Sequence, residues 1–245
     1  AGLIDTATLT WAGDEMYNVT IGQSKVAFNS EEMRSSGKLL FADRSQVNEA
    51  FNQDYAKGLT VHGKYADDSA TWVKYWVGVY NGVLRANNDF RNQDKAGFGS
   101  SFNALGGVDS DLMFNVRVET YPLGEFKNEG RDARGDDEKE NPLFSIGLAM
   151  NWFQQSNNTP NLRTGATAGS GRSQAHVRVM SVAFDAHLRW FGINLDISLI
   201  RERAEFFNTG SLTTTENLQN RPTDITDTGM VVEVGYMLTQ EIQVG

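Results

Sequence analysis

The sequence predicts an all-β fold, a transmembrane antiparallel β-barrel, and three observations predict it. Apolar and polar residues alternate along most of the chain, and a period of two belongs to strands, whose side chains point to opposite faces in turn. The connections between alternating stretches are short and long by turns, the pattern of barrels with short periplasmic turns and longer extracellular loops. Aromatic residues gather where the short turns fall, at Trp11, Tyr17, Tyr65, Trp72, Tyr121, Trp190 and Phe191. Rings of this kind settle at the half-wet boundary of a bilayer.

The clearest strand is 111–120, DLMFNVRVET. Leu112, Phe114, Val116 and Val118 fall on one side, with Asp111, Asn115, Arg117 and Glu119 on the other. As a helix the same residues would scatter over every face. As a strand they demand grease on one side and charge on the other. A soluble sheet meets that demand with a protein core, and a membrane barrel meets it with lipid outside and water inside.

In chain order, the stretches 3–11 and 16–24 alternate weakly. LTVHGKY sets Leu59, Val61 and Tyr65 against Thr60, His62 and Lys64. TWVKYWVGVYN sets Val73, Tyr75, Val77 and Val79 against Lys74, Trp76, Gly78 and Tyr80. After 111–120 come LFSIGLAMNWF, with Ser145, Gly147, Ala149 and Asn151 on its polar side, and SVAFDAHLRW, with Ser181, Asp185, His187 and Arg189. INLDISL sets Ile193, Leu195, Ile197 and Leu199 against Asn194, Asp196 and Ser198. MVVEVGYML sets Met230, Val232, Val234 and Tyr236 against Glu233 and Gly235. With a strand started at 241–245, the chain holds about ten strands of the length that a tilted barrel strand needs. Short turns follow Trp11, Tyr65, Trp190 and Leu238, whereas 26–56, 82–109, 154–174 and 206–227 are long.

Composition excludes several classes. With 245 residues, 40% hydrophobic and 22% charged, the chain is not of disordered type. It has no apolar run of about eighteen residues, hence no transmembrane helix, which leaves barrel strands untouched. There are no cysteines, so neither disulfides nor thiolate metal sites arise. A net charge of −9 argues against a nucleic-acid partner. The first ten residues carry no signal-peptide pattern, and EIQVG ends within an alternating stretch. Residues 1–245 are therefore expected to be one β-barrel domain, incomplete, as an internal portion of a longer protein.

Residues 21–65 run IGQSKVAFNSEEMRSSGKLLFADRSQVNEAFNQDYAKGLTVHGKY. GQSKVAF leaving a strand, SSGKLLFADRSQVNEAF, and GLTVHG resuming a strand resemble the phosphate-selective porin O and P family. WVGVYNG at 76–82, VRVETYPLG at 116–124 and VEVGYML at 232–238 continue the likeness. The resemblance implies an outer-membrane barrel of about sixteen strands, usually a homotrimer, with one loop folded inward to narrow the pore. It places the protein in the bacterial outer membrane, among lipids and lipopolysaccharide, passing small polar or anionic solutes.

The candidate constriction loop is 26–56, with Arg34, Lys38 and Arg44 as solute-facing cations opposed by Glu31, Glu32, Asp43 and Glu49. Lys38 and Arg44 either coordinate anions or pair with neighbouring carboxylates and pin the loop to the wall. Candidate pore-lining residues are Lys64, Lys74, Arg117, Glu119 and Arg189, interspersed with Asp111, Asp185, Asp196 and Glu233. That lumen is mixed rather than basic, unlike the rings of Arg or Lys expected of an anion pore.

The segment 124–142 lies on the short-turn side yet is long, and from Glu125 to Glu140 it holds seven acids and four bases. It reads as an acidic periplasmic insertion, either solvated or docking an envelope partner. Its acids lack the spacing of a calcium loop. The three histidines have no metal-ligand spacing, GFGSSF at 97–102 is not a nucleotide fingerprint, and no nucleophile elbow occurs. No cofactor, metal or enzymatic activity is expected. The functional expectation is a porin working by passive diffusion. Its alternative is a non-conducting structural barrel anchoring a larger envelope assembly, and a soluble all-β binding module is a third reading.

Overall fold

The computed structural model describes residues 6–41, 43–53, 55–66, 72–80, 109–110, 112–124, 126, 142–157, 175–208, 224–237 and 243–244. Its strands are β1 (Ala7–Asp14), β2 (Tyr17–Lys25), β3 (Tyr55–Ala66), β4 (Trp72–Tyr80), β5 (Asp109–Ser110), β6 (Met113–Tyr121), β7 (Leu143–Asn157), β8 (Ala175–Trp190), β9 (Ile193–Asn208), β10 (Asp224–Met237) and β11 (Gln243–Val244). Two short helices, α1 (Ser30–Met33) and α2 (Gln46–Phe51), and a 3-10 turn at Ser36–Lys38 lie between β2 and β3. The strands form one sheet in the order β1-β2-β3-β4-β6-β7-β8-β9-β10-β11, with β5 pairing separately to β7. Neighbours are antiparallel and follow chain order, the up-and-down meander of a barrel wall.

The burial of β6 decides what that wall separates. Phe114, Val116 and Val118 are 46%, 39% and 43% exposed, while Arg117 between them is 0% exposed. A soluble sheet buries its apolar face, so this pattern is inside out for water and correct for lipid. The same polarity runs along β7 to β10, with Leu148, Met150, Val182, Leu199, Met230, Val232 and Val234 turned outward. On β8 the outward positions from Met180 to Trp190 are apolar and Arg178 lies just beyond. About ten rises of ~3.3 Å, tilted by ~40°, cross about 25 Å, the height of an outer-membrane apolar band. The described residues include no helix long and apolar enough to cross a membrane.

At the short-turn end, Phe191 and Gly192 both have positive φ, 52° and 77°. Two such residues in a two-residue loop match the right-handed twist of the flanking strands, and Trp190 pairs with Ile193 across them. Trp11 with Tyr17 and Trp190 with Phe191 form ring contacts at 5.8 and 4.9 Å between centroids at this end. Tyr121 departs from the expected girdle. It is buried on the inner face, its hydroxyl donating to Glu119 Oε1 at 2.8 Å.

The strands β7 to β10 also run longer than apolar alternation predicts, with 14 to 16 residues each. Their extra length lies at the long-loop end, where outward positions turn polar. There Arg203 reaches Asp224 at 3.0 Å and Glu205 at 3.2 Å, and Arg178 reaches Glu205 at 3.7 Å. Ladder hydrogen bonds need no apolar side chains, so pairing continues past the band where the hydropathy signal stops.

Candidate functional site

The inner wall carries polar side chains in cross-strand rows. One row runs Glu119, Gly147, Asp185, Ser198 across β6 to β9, and a second runs Asn115, Asn151, Ser181, Glu202. Between them lies an apolar break, Ala149, Ala183 and Ile200, in register with one another and with Arg117. An apolar patch on a wet inner face has to be covered, and the segment between β2 and β3 covers it. Phe28 and Phe51 pack there, buried, with Val47 beside them. Seating the two phenylalanines contributes about 1.5–3 kcal/mol each.

Polar contacts fix the seat. Arg117 Nη1 donates to Asp185 Oδ2 at 2.7 Å and to the Phe28 carbonyl at 2.9 Å, and Nη2 donates to Glu119 Oε2 at 3.2 Å. Asp185 in turn accepts from the Ser30 backbone N–H at 3.2 Å and from Ser198 Oγ at 2.7 Å. Asn115 Nδ2 donates to the Ala27 carbonyl at 2.9 Å and to Asn151 Oδ1 at 2.7 Å. Wall and segment thus share their hydrogen bonds, which is how so many polar groups remain buried at acceptable cost. Glycines provide clearance. A Cβ at Gly147 would sit 2.5 Å from Arg117 Nη2, and one at Gly229 would sit 2.6 Å from Val47 Cγ1.

The segment also holds itself. Asn29 caps α1 through the Glu32 N–H at 2.6 Å, and Ser45 caps α2 through the Asn48 N–H at 3.0 Å. Glu31 clasps the Ser45 N–H and hydroxyl at 2.6 and 2.7 Å, tying the two helices together. Glu32 forms ion pairs with Lys25 Nζ at 3.1 Å and Arg44 Nε at 3.2 Å and accepts a hydrogen bond from Asn48 Nδ2 at 3.0 Å.

Arg34 and Arg44 therefore engage carboxylates within this assembly, Arg34 reaching Asp196 Oδ1 at 3.3 Å. Asp196 also pairs with His187 Nδ1. Lys38 ends the 3-10 turn between the helices, and its side chain lies outside the described residues. Arg117 and Glu119 lie beneath the segment. Lys74 stands 5.0 Å over the Tyr121 ring, and Lys64 pairs with Glu15 at 3.4 Å near the short turns. Buried Arg189 stacks 4.7 Å over Phe126, the one residue of 125–141 that is described. Phe126 is itself buried against Tyr121, on the inner side of the sheet. The rest of 125–141, and the candidate loops 82–108 and 158–174, lie outside the described residues.

Sequence reasoning placed Asp185, Asp196, Ala149 and Ala183 on the inner face without giving them a role. The apolar break in an otherwise polar face was the available signal. Among the described residues, no cluster of three or more His, Asp or Glu side chains could hold a metal ion.

Neither the curated proteins nor the solved structures contain a match to the chain. Compared with protein-family models, it matches Phosphate-selective porin O and P over residues 1–244. An antiparallel wall with its apolar face turned outward is consistent with that match, and the chain belongs to the phosphate-selective porin O and P family.

Proposed function

We propose that this outer-membrane porin passes small polar solutes by passive diffusion through a lumen narrowed by residues 26–53. Its family is one of channels rather than enzymes. The observation that carries the reading is the seating of Phe28 and Ser30 on Arg117 and Asp185, which supports a fixed narrowing. Arg34, Lys38 and Arg44 form its cationic side, opposed by Glu31 and Glu32. Lys64 and Lys74 line the lumen, while Arg117 and Glu119 hold the segment and Arg189 holds Phe126. Because Arg34, Arg44 and Lys64 already face carboxylates, any preference for anions is weak. The setting is a homotrimer in a membrane whose outer leaflet is lipopolysaccharide.

The test is single-channel current through the intact protein in a planar bilayer under a KCl gradient. Discrete steps with a reversal potential near zero or slightly anion-leaning support the reading, and a folded barrel that passes no current refutes it. The burial of Phe126 at the short-turn end favours a second reading, a closed barrel that anchors an envelope partner through 124–142. Deleting 125–140 separates the two. Lost partner binding with unchanged conductance supports the anchor.

A further inference from the structure

A cavity of about 260 Å³ lies between the inner face of β2–β4 and the folded-in segment. The strand side supplies Thr20, Lys25, Thr60, His62, Trp76 and Tyr80, and the segment side supplies Met33. The wall is built to leave this room. Tyr80 lies along the sheet over Gly58 and Gly78, where added Cβ atoms would fall 2.5 and 2.4 Å from its ring. Its hydroxyl pairs with Thr60 Oγ1 at 2.7 Å, and Thr20 Oγ1 pairs with His62 Nε2 at 3.0 Å.

The chemistry of the lining selects a ligand class. Among the described residues lining the cavity, Lys25 is the one charged group, and it is matched by the Glu32 carboxylate at 3.1 Å and the Glu32 carbonyl at 2.7 Å. A bound anion would have to displace that carboxylate, and a cation would meet the ammonium, so neither is favoured. A hydroxyl both donates and accepts; the Thr60–Tyr80 pairing leaves capacity on both partners for a ligand hydroxyl, and Thr20 Oγ1, which also pairs with Thr10 Oγ1 at 2.9 Å, keeps one further position. Trp76 adds a large aromatic surface suited to an apolar C–H face. The volume equals roughly nine waters at ~30 Å³ each, below the usual range of drug-sized sites, and takes one ring.

We infer that this cavity binds a neutral, polyhydroxylated ring solute, a monosaccharide, as a saturable station on the solute path. The inference deepens the porin reading and rests on it only for how the solute arrives. Calorimetric titration of the detergent-solubilised protein with D-glucose reads binding whether or not the barrel conducts, and KCl conductance in a bilayer tests the porin reading separately.

The expected result is saturable heat with glucose and none with inorganic phosphate. Trp76→Ala should weaken binding about tenfold, the loss expected for one aromatic face. Should that variant not fold, Trp76→Phe and Thr20→Val should each weaken binding by a smaller factor. Absence of saturable heat in folded protein overturns the inference, as does glucose binding unaffected by these substitutions. Phosphate binding that Lys25→Gln abolishes also overturns it, because the site would then be anionic in preference. Glucose binding by a barrel that carries no current leaves the inference standing and removes the porin reading instead.

Discussion

Replacing Arg117 with alanine tests the central contact between wall and segment. The guanidinium is 0% exposed and ion-pairs with Asp185 at 2.7 Å and Glu119 at 3.2 Å. Its removal strands two carboxylates that are themselves buried. Breaking a buried pair in this way costs about 3–5 kcal/mol, and the Phe28 carbonyl loses its donor as well. The wall keeps its full ladder of strand hydrogen bonds, so most of the penalty falls on the docked state of the segment. A shift of that size changes the ratio of docked to undocked segment by roughly 160- to 4,800-fold. In single-channel recordings the variant should spend much of its time in a wider, noisier conductance state. Arg117→Met together with Asp185→Leu removes both partners of the shortest pair and should recover part of the narrow state, because an apolar replacement avoids one stranded charge. A variant Arg117→Ala that folds, inserts and conducts with wild-type amplitude and noise would refute the claim that this contact seats the segment.

Gly229→Val should act from the opposite side, since its first added atom already meets Val47 Cγ1 at 2.6 Å and Phe51 Cε2 at 2.7 Å. Overpacking of this kind costs about 1–3 kcal/mol, and wider conductance with unchanged barrel heat-stability on gels would confirm it. Lys38→Glu with Arg44→Glu should move the reversal potential towards cation selectivity, and an unmoved potential would remove both residues from the constriction. Phe191→Asn should stabilise the β8–β9 turn, because asparagine tolerates positive φ better than phenylalanine. A lower urea midpoint for unfolding from detergent would mean that the Trp190 ring contact outweighs the backbone strain.

The wall was legible from the sequence because a barrel strand reports its two environments residue by residue. Arg117, Asp185 and Glu233 fall on the predicted inner face, and Val116, Leu148 and Val232 on the outer. The Phe191–Gly192 turn was legible from its two-residue length between alternating runs. Where the environment stopped differing across the sheet, the signal stopped too, and so 154–157 at the end of β7 and 224–227 at the start of β10 were read as parts of long loops. Tyr121 misled because an aromatic near a turn fits the girdle on either face, and only the pairing register sets which face it takes. Glu119, two residues from Arg117 on the same face, was legible as its partner, but the Asp196 that meets Arg34 and the Asp185 that meets Arg117 were not. Those pairings depend on Asp196 and Asp185 being brought to the segment across more than 150 residues of chain, and no local pattern encodes that distance.

The way the segment is held limits what its charges can do at long range. Lys25, Arg34, Arg44 and Arg117 are met by Glu32, Glu119, Asp185 and Asp196, four cations against four carboxylates, while Glu31 is bound by Ser45. At physiological salt the field of so balanced a cluster is screened within about 8 Å, so it cannot gather anions from the bulk as a basic ladder does. On the proposed porin reading, selection then comes from contact, through the width left beside the segment and the groups a solute touches while passing. Uncharged solutes with hydrogen-bonding edges lose least in such a passage, because they disturb none of the pairs that hold the segment down. An anion would gain only by competing with a carboxylate already in place, at the cost of loosening the segment itself. The permeability ratio of a neutral sugar to phosphate should therefore rise in the wild type and fall in Lys25→Arg with Glu32→Gln, where one carboxylate is removed and the cation at the cavity is left less matched.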